Sequence, residues 1–222
     1  MARREEREKA IELRIQGKSY SEIKTILGIS KSTLSGWLQK YPLTGDQIAR
    51  IKENRPRQIE KFRQTMTRKR EIREKFAYDE AKKNWLPLSD RELQLAGIFL
   101  YWGEGTKVSS SYVCISNCDP KVVKFAIYWL VKGLNISPTS IRVLLHLYSD
   151  MIIEEEIKFW QEVTNLPLQN FRKPYIKNST RAGLTYKSFG HGTCNVYTSD
   201  VTIKTRILKS IEAISDYHSS LI

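Results

Sequence analysis

Cysteine, histidine and long apolar runs are all scarce in this chain of 222 residues, which has three cysteines and three histidines. Cys114, Cys118 and Cys194 are too few and too unevenly spaced for a disulfide framework, and their odd number leaves one over. A zinc site from these three with His191 is conceivable by residue type. However, the C-x-x-x-C spacing falls on an expected strand and its exit, with no second close pair, so small buried thiols are the simpler account. His146, His191 and His218 have no metal-ligand spacing among themselves. F-G-H-G-T, from Phe189 to Thr193, lacks the strand-to-helix context of a phosphate cradle and reads as a turn. No apolar stretch reaches the roughly 20 residues that a bilayer requires, and no secretory or lipidation signal is recognisable. The expectation is a soluble, cytoplasmic protein with reduced thiols, no membrane partner and no evident small-molecule cofactor.

Acidic residues are also in deficit. The chain carries 37 Lys and Arg against 24 Asp and Glu, a formal charge of +13. Most of the excess is N-terminal: residues 1–83 hold 22 basic and 12 acidic side chains, the remainder 15 and 12. A field of this kind suits a polyanion, and neutralising phosphates would release counterions and make binding strongly salt-dependent.

Residues 19 to 40, S-Y-S-E-I-K-T-I-L-G-I-S-K-S-T-L-S-G-W-L-Q-K, spell two short helices joined by a tight turn. Ser19 and Glu22 form an S-x-x-E capping box, Gly28 stands where the first helix must end left-handed, and Ser30 caps the second. Ile23, Ile26, Leu27, Ile29, Leu34, Trp37 and Leu38 recur at spacings that pack this pair against an earlier helix bearing Ala10, Ile11, Leu13 and Ile15. Lys31, Ser32, Ser35 and Gln39 stay exposed, with Lys40 beyond them, while Thr33 faces either outward or into the packing. Hydrogen-bonding side chains near a helix N-terminus are what meets base edges and phosphates. The pattern resembles the resolvase and transposase type of helix-turn-helix. That resemblance implies double-stranded DNA as partner and Lys31, Ser32, Thr33, Ser35, Gln39 and Lys40 as DNA-binding residues. The bland alternative is a three-helix bundle without a ligand. No catalytic serine context precedes these helices, so a serine recombinase is not implied.

Residues 42–88 read as a basic helical connector. Pro56 marks a break or a new first turn. Arg57 to Lys83 then forms a long charged helix with Ile59, Phe62, Met66, Ile72 and Phe76 on a narrow stripe. Arg68, Lys69, Arg70, Arg73 and Lys75 crowd its middle, either as a solvated spacer or as a helix crossing a phosphate backbone.

Ser89 to Lys107, S-D-R-E-L-Q-L-A-G-I-F-L-Y-W-G-E-G-T-K, is an apolar helix ending in an acid between two glycines. Ala96 and Gly97 make a face that another backbone can approach, and Gly97 shares it with Glu104. Here L-A-G at Leu95 to Gly97 and G-E-G at Gly103 to Gly105 resemble the LAGLIDADG endonucleases, although they lie two residues further apart than in that family's motif. The resemblance implies a symmetric homodimer packed through this helix, with antiparallel sheets in the major groove. It also implies Glu104 as a Mg²⁺ ligand and catalytic acid, with Lys107 and Lys187 as catalytic lysines near the phosphate. Solvation of Glu104, or its pairing with Lys107, is the plainer reading. An acid at a helix C-terminus opposes the macrodipole, which favours a role.

The rest of residues 89–222 alternates strand and helix. Strands are expected over Tyr112 to Ser116 and Asn195 to Thr198, each followed by a helix (Lys121 to Leu134, Val201 to Tyr217), as a pseudo-repeat requires. Ile141 to Tyr148 has strand period and puts Arg142, His146 and Tyr148 on one exposed face. Asp150 to Asn165 is an added helix. Phe171 to Lys177 and Leu184 to Phe189 supply strands with Lys173, Lys177, Arg181 and Lys187 nearby, either a DNA-binding surface or solvated edges guarded by lysine.

The expected fold class is α+β: a helix-turn-helix over residues 1–41, a connector over 42–88, and a LAGLIDADG-like domain of helices and antiparallel sheet over 89–222. Two functions fit: a homodimeric, sequence-specific DNA-binding protein with a Mg²⁺-dependent endonuclease domain, of the kind a mobile element or phage carries, or a non-catalytic transcriptional regulator.

Overall fold

The computed structural model describes residues 4–52, 54–108, 111–181 and 190–221, and the chain divides into two compact units, Met1–Pro87 and Leu88–Ile222. The architecture is mixed α+β, with the described strands all in the second unit.

In the first unit α1 (Arg4–Ile15), α2 (Tyr20–Leu27) and α3 (Lys31–Leu38) pack around Ala10, Tyr20, Ile23, Ile29, Leu34 and Leu38. Each boundary has a local cause. Ser19 and Glu22 close a reciprocal capping box, and Gly28 ends α2 at φ 69°, donating its N–H to the Lys24 carbonyl. The Ser30 hydroxyl accepts from the Thr33 N–H and opens α3. Ile15 and Ile26 do not join the core as their spacing suggests: they stay 64% and 54% exposed, each in the last turn of its helix, beyond the reach of the facing side chains.

A short α4 (Gly45–Ala49), capped by Thr44 and Gln47, leads to the 32-residue α5 (Asn54–Trp85). The start of α5 is fixed to the three-helix cluster by a buried ion pair. Arg14 donates to both carboxylate oxygens of Glu60, at 3.2 and 2.7 Å, and also to the Tyr41 and Lys18 carbonyls. Arg63 joins Glu60 at 3.1 Å, and the Arg63 guanidinium lies 3.6 Å from the Tyr20 ring centroid. Gln64 donates to the Leu43 carbonyl. Beyond this anchored stretch Met66, Ile72 and Phe76 stay 48 to 63% exposed, so the stripe expected on this helix is largely open to solvent.

The second unit runs α6 (Asp90–Glu104), β1 (Val113–Asn117), α7 (Pro120–Tyr128), β2 (Arg142–Tyr148), α8 (Ile153–Thr164), β3 (Tyr175–Lys177), β4 (Thr193–Thr198) and α9 (Val201–Ser219). Among the described residues the sheet order is β1-β4-β2-β3. The two strands of the pseudo-repeat are direct antiparallel neighbours, Ser116 opposite Asn195, and the helix after each is capped by an aspartate, Asp119 and Asp200.

The sheet is mixed where antiparallel pairing was expected, because β3 runs parallel to β2. The reason is α8: a helical crossover returns the chain in the same direction, which a hairpin cannot do. The strand expected from Phe171 shrinks to three residues after Pro174, whose missing N–H cannot extend the ladder, and Phe171 keeps only an isolated bridge to Val143. The strand expected over Leu184 to Phe189, with Lys187, lies outside the described residues.

Candidate nucleic-acid interface

The outward side of α3 carries Lys31, Ser32, Ser35, Gly36 and Gln39, all exposed, with Lys40 exposed just beyond the helix. Thr33 is half-buried. The Ser30 hydroxyl lies 2.9 Å from both the Ser32 and Thr33 hydroxyls, so three oxygens gather at the opening of α3. Inward, Leu34 and Leu38 fill the core. The helix therefore offers donors and acceptors on one side while its other side fixes its position, and the dipole at its N-terminus favours anions.

On the sheet, β2 alternates half-buried and buried residues, turning Val143, Leu145 and Leu147 into the core and Arg142, Leu144, His146 and Tyr148 outward. Register extends this outward face to Tyr197, Asn195 and Thr193 on β4, Ser116 on β1, and Tyr175 and Lys177 on β3. Its members engage one another. His146 meets the Tyr175 ring edge-on at 5.2 Å, and the Lys177 ammonium sits 4.7 Å from the Tyr148 ring centroid. Arg142 donates to the Thr139 and Ile141 carbonyls. Burial, with Lys177 adding to it, holds the His146 imidazole below its ordinary pKa, so at neutral pH it is an uncharged ring. Arg181 folds onto Asp150 with a 3.1 Å ion pair, whereas Lys173 is exposed ahead of β3. The tyrosines of this face, Tyr175 and Tyr197, escape sequence reading because only strand register shows that they join the residues of β2.

Glu104 is the last residue of α6 and is exposed, as is Lys107. The small face of α6 is filled from within its own unit. A Cβ at Gly97 would overlap the Trp129 indole, and one at Gly133 would strike the same ring. This corrects the expectation at Gly97, where Trp129 leaves no room for a second backbone. What α6 turns outward is Leu95, Phe99 and Trp102, 37 to 51% exposed, with the last two rings stacked at 5.8 Å.

At the foot of α6, Lys204 of α9 is 1% exposed and donates to the Tyr101 hydroxyl and the Thr106 carbonyl. Burial pushes the Tyr101 phenol up to about 12. Cys114 and Cys194 sit on opposite faces of the sheet, and burial raises both thiols. His191 pairs with Glu156 at 2.8 Å. Among the described residues no three His, Cys, Asp or Glu side chains cluster as metal ligands, and no helix is long and apolar enough to cross a membrane.

A family model described as a helix-turn-helix domain matches residues 6–46, which cover α1 to α3 and their exit. The first unit thus contains a helix-turn-helix domain. No curated protein and no solved structure matches the chain. The likeness of the second unit to LAGLIDADG endonucleases rests on its residues alone.

Proposed function

We propose that this protein is a sequence-specific, double-stranded DNA-binding protein that acts as a homodimer, with α3 entering the major groove. The observation that carries this reading is the exposed row Lys31, Ser32, Ser35 and Gln39 on the second helix of a helix-turn-helix domain, within the more basic part of the chain. Lys31 and Gln39 suit base edges or phosphates, and Ser32 and Ser35 suit either. Leu95, Phe99 and Trp102 support the dimer, since three large apolar side chains on one helix face are a surface that a second copy can cover.

The test is selection of bound duplexes from a random pool by the full chain. Palindromic winners are expected from a symmetric dimer. Lys31→Ala and Ser32→Ala should weaken binding to the winners more than to scrambled duplexes; equal loss on both would demote these residues to phosphate contacts.

Exposure of Glu104 at the tip of α6 favours a second reading, a Mg²⁺-dependent endonuclease. One carboxylate per chain does not make a Mg²⁺ site, so this reading requires two Glu104 carboxylates to meet in a dimer other than one packed through Leu95, Phe99 and Trp102, a row about 180° around α6 from Glu104. Incubating the winning duplexes with Mg²⁺ separates the readings. Scission that Glu104→Gln abolishes, with binding kept, supports the nuclease; intact duplexes leave a non-catalytic regulator.

A further inference from the structure

We propose that α5 is a second DNA-gripping element, and that the groove it forms with α3 holds the phosphate backbone of the duplex that α3 reads. This rests on the DNA-binding reading above. A groove of about 490 Å³ lies between the two helices, with Ser32, Ser35 and Gln39 on one wall and Arg63, Lys69, Arg70 and Arg73 on the other. Among the described residues that line it, Glu60 is the one carboxylate, and Arg14 and Arg63 already neutralise it. Positive charge is left in excess. The ion pair of Arg70 with Glu74, at 3.6 Å between solvent-facing side chains, is too weak to withhold that arginine from a phosphate.

Rigidity makes this charge useful. The Arg14–Glu60 pair and the hydrogen bond from Gln64 to the Leu43 carbonyl fix the start of α5 against the helix-turn-helix. Its cations therefore keep one distance from the donors on α3, and from Arg63 to Arg73 they span about 15 Å of helix axis. A duplex seated on α3 meets a second wall without any ordering of that wall on binding.

Phe62 and Met66 also line the groove. A partner helix would cover those two but would set Lys69, Arg70 and Arg73 against its own apolar face. A sugar-phosphate strand offers sugar to the first pair and phosphate to the second group, so charge and shape favour DNA over a second copy.

The experiment compares the full chain with the triple variant Lys69→Ala, Arg70→Ala, Arg73→Ala on selected and scrambled duplexes over a range of salt. Helix content should be unchanged, because Lys69 and Arg73 are exposed, Arg70 gives up only a weak ion pair and alanine favours helix. Affinity should fall by about tenfold or more on both duplexes, and the slope of log affinity against log salt should become shallower by about two to three. A slope equal to that of the unsubstituted chain would overturn the proposal. So would a variant whose only change is in self-association, which would assign the groove to a second copy. Failure of the unsubstituted chain to bind any duplex is a different result, and it removes the DNA reading itself.

Discussion

Each unit holds a deeply buried cation, and the two are satisfied in opposite ways. In the first, Arg14 is 3% exposed and meets a carboxylate, Glu60, in a two-pronged pair that ties residues 46 positions apart. In the second, Lys204 is as deeply buried and its hydrogen bonds among the described residues go to neutral oxygens, the Tyr101 hydroxyl and the Thr106 carbonyl. A paired charge is indispensable once formed, because losing one partner strands the other out of water. A lysine among neutral acceptors is replaceable, because its removal strands no opposite charge. The first arrangement sets the place of α5 beside α3, and the second closes the end of α6.

Arg14→Ala should therefore have the largest effect. It leaves the Glu60 carboxylate buried with only Arg63, so the loss should be about 3 kcal/mol of stability. Hydrogen exchange should report it as faster opening of the amides of α1 and the start of α5, with the sheet amides unchanged. A loss under about 1 kcal/mol would mean that Arg63 alone satisfies Glu60, and the contrast between the units would weaken.

Next in size is Gly97→Val, the packing counterpart in the second unit. The added side chain meets the Trp129 indole, whose Nε1 is already buried with no hydrogen-bond partner among the described residues. Overpacking of this kind costs about 1 to 3 kcal/mol, measurable as a fall in denaturant midpoint. An unchanged midpoint would show that Trp129 has room to turn, and would return the small face of α6 to the candidates for a dimer contact.

What could be read in advance follows physical range. The capping box at Ser19, the left-handed Gly28 and the Ser30 cap each act between residues at most a few positions apart, and each stands where the local chemistry demands. The alternation of β2 is likewise local and put Arg142, His146 and Tyr148 on one face. The exposed row on α3 follows from the same helical period that buries Leu34 and Leu38. Arg14 and Glu60, by contrast, are two charges in charge-rich helices, and no periodicity distinguishes the buried pair from its solvated neighbours. The small face of α6 was visible at Gly97, but the side chain that fills it arrives 32 residues later with Trp129. β3 is parallel and three residues long, too short for a period to show. Lys204 falls on the apolar side of α9, where only the acceptors brought by α6 explain a lysine.

A smaller effect is expected at the opening of α3. Ser30→Ala removes the oxygen that accepts from the Thr33 N–H and gathers the Ser32 and Thr33 hydroxyls. The cap alone contributes about 1 kcal/mol, visible as a drop of a few degrees in Tm. Binding to a selected duplex should fall more than this stability loss predicts, because Ser32 and Thr33 lose their orienting partner. Equal affinity would show that DNA itself orders the start of α3.

Lys204→Met should have the smallest effect at neutral pH, and it sharpens the contrast most. The thioether keeps the volume, and the Thr106 carbonyl still accepts from the Tyr101 hydroxyl, so stability at pH 7 should stay within about 1 kcal/mol of the parent. The pH dependence should differ. Burial holds the Lys204 ammonium below its ordinary 10.5; the Cys114 thiol opposes this shift and Lys107 adds to it. Between that lowered value and 10.5 the unfolded chain binds more proton than the folded one, so this lysine makes stability rise with pH across that window. The variant lacks the term, and the difference between the two stability curves isolates it from tyrosines and thiols that titrate in both. If the curves run parallel and the variant loses about 3 kcal/mol at every pH, the lysine is held by its hydrogen bonds as firmly as Arg14 is by its carboxylate, and burial among neutral oxygens is no weaker a design than pairing.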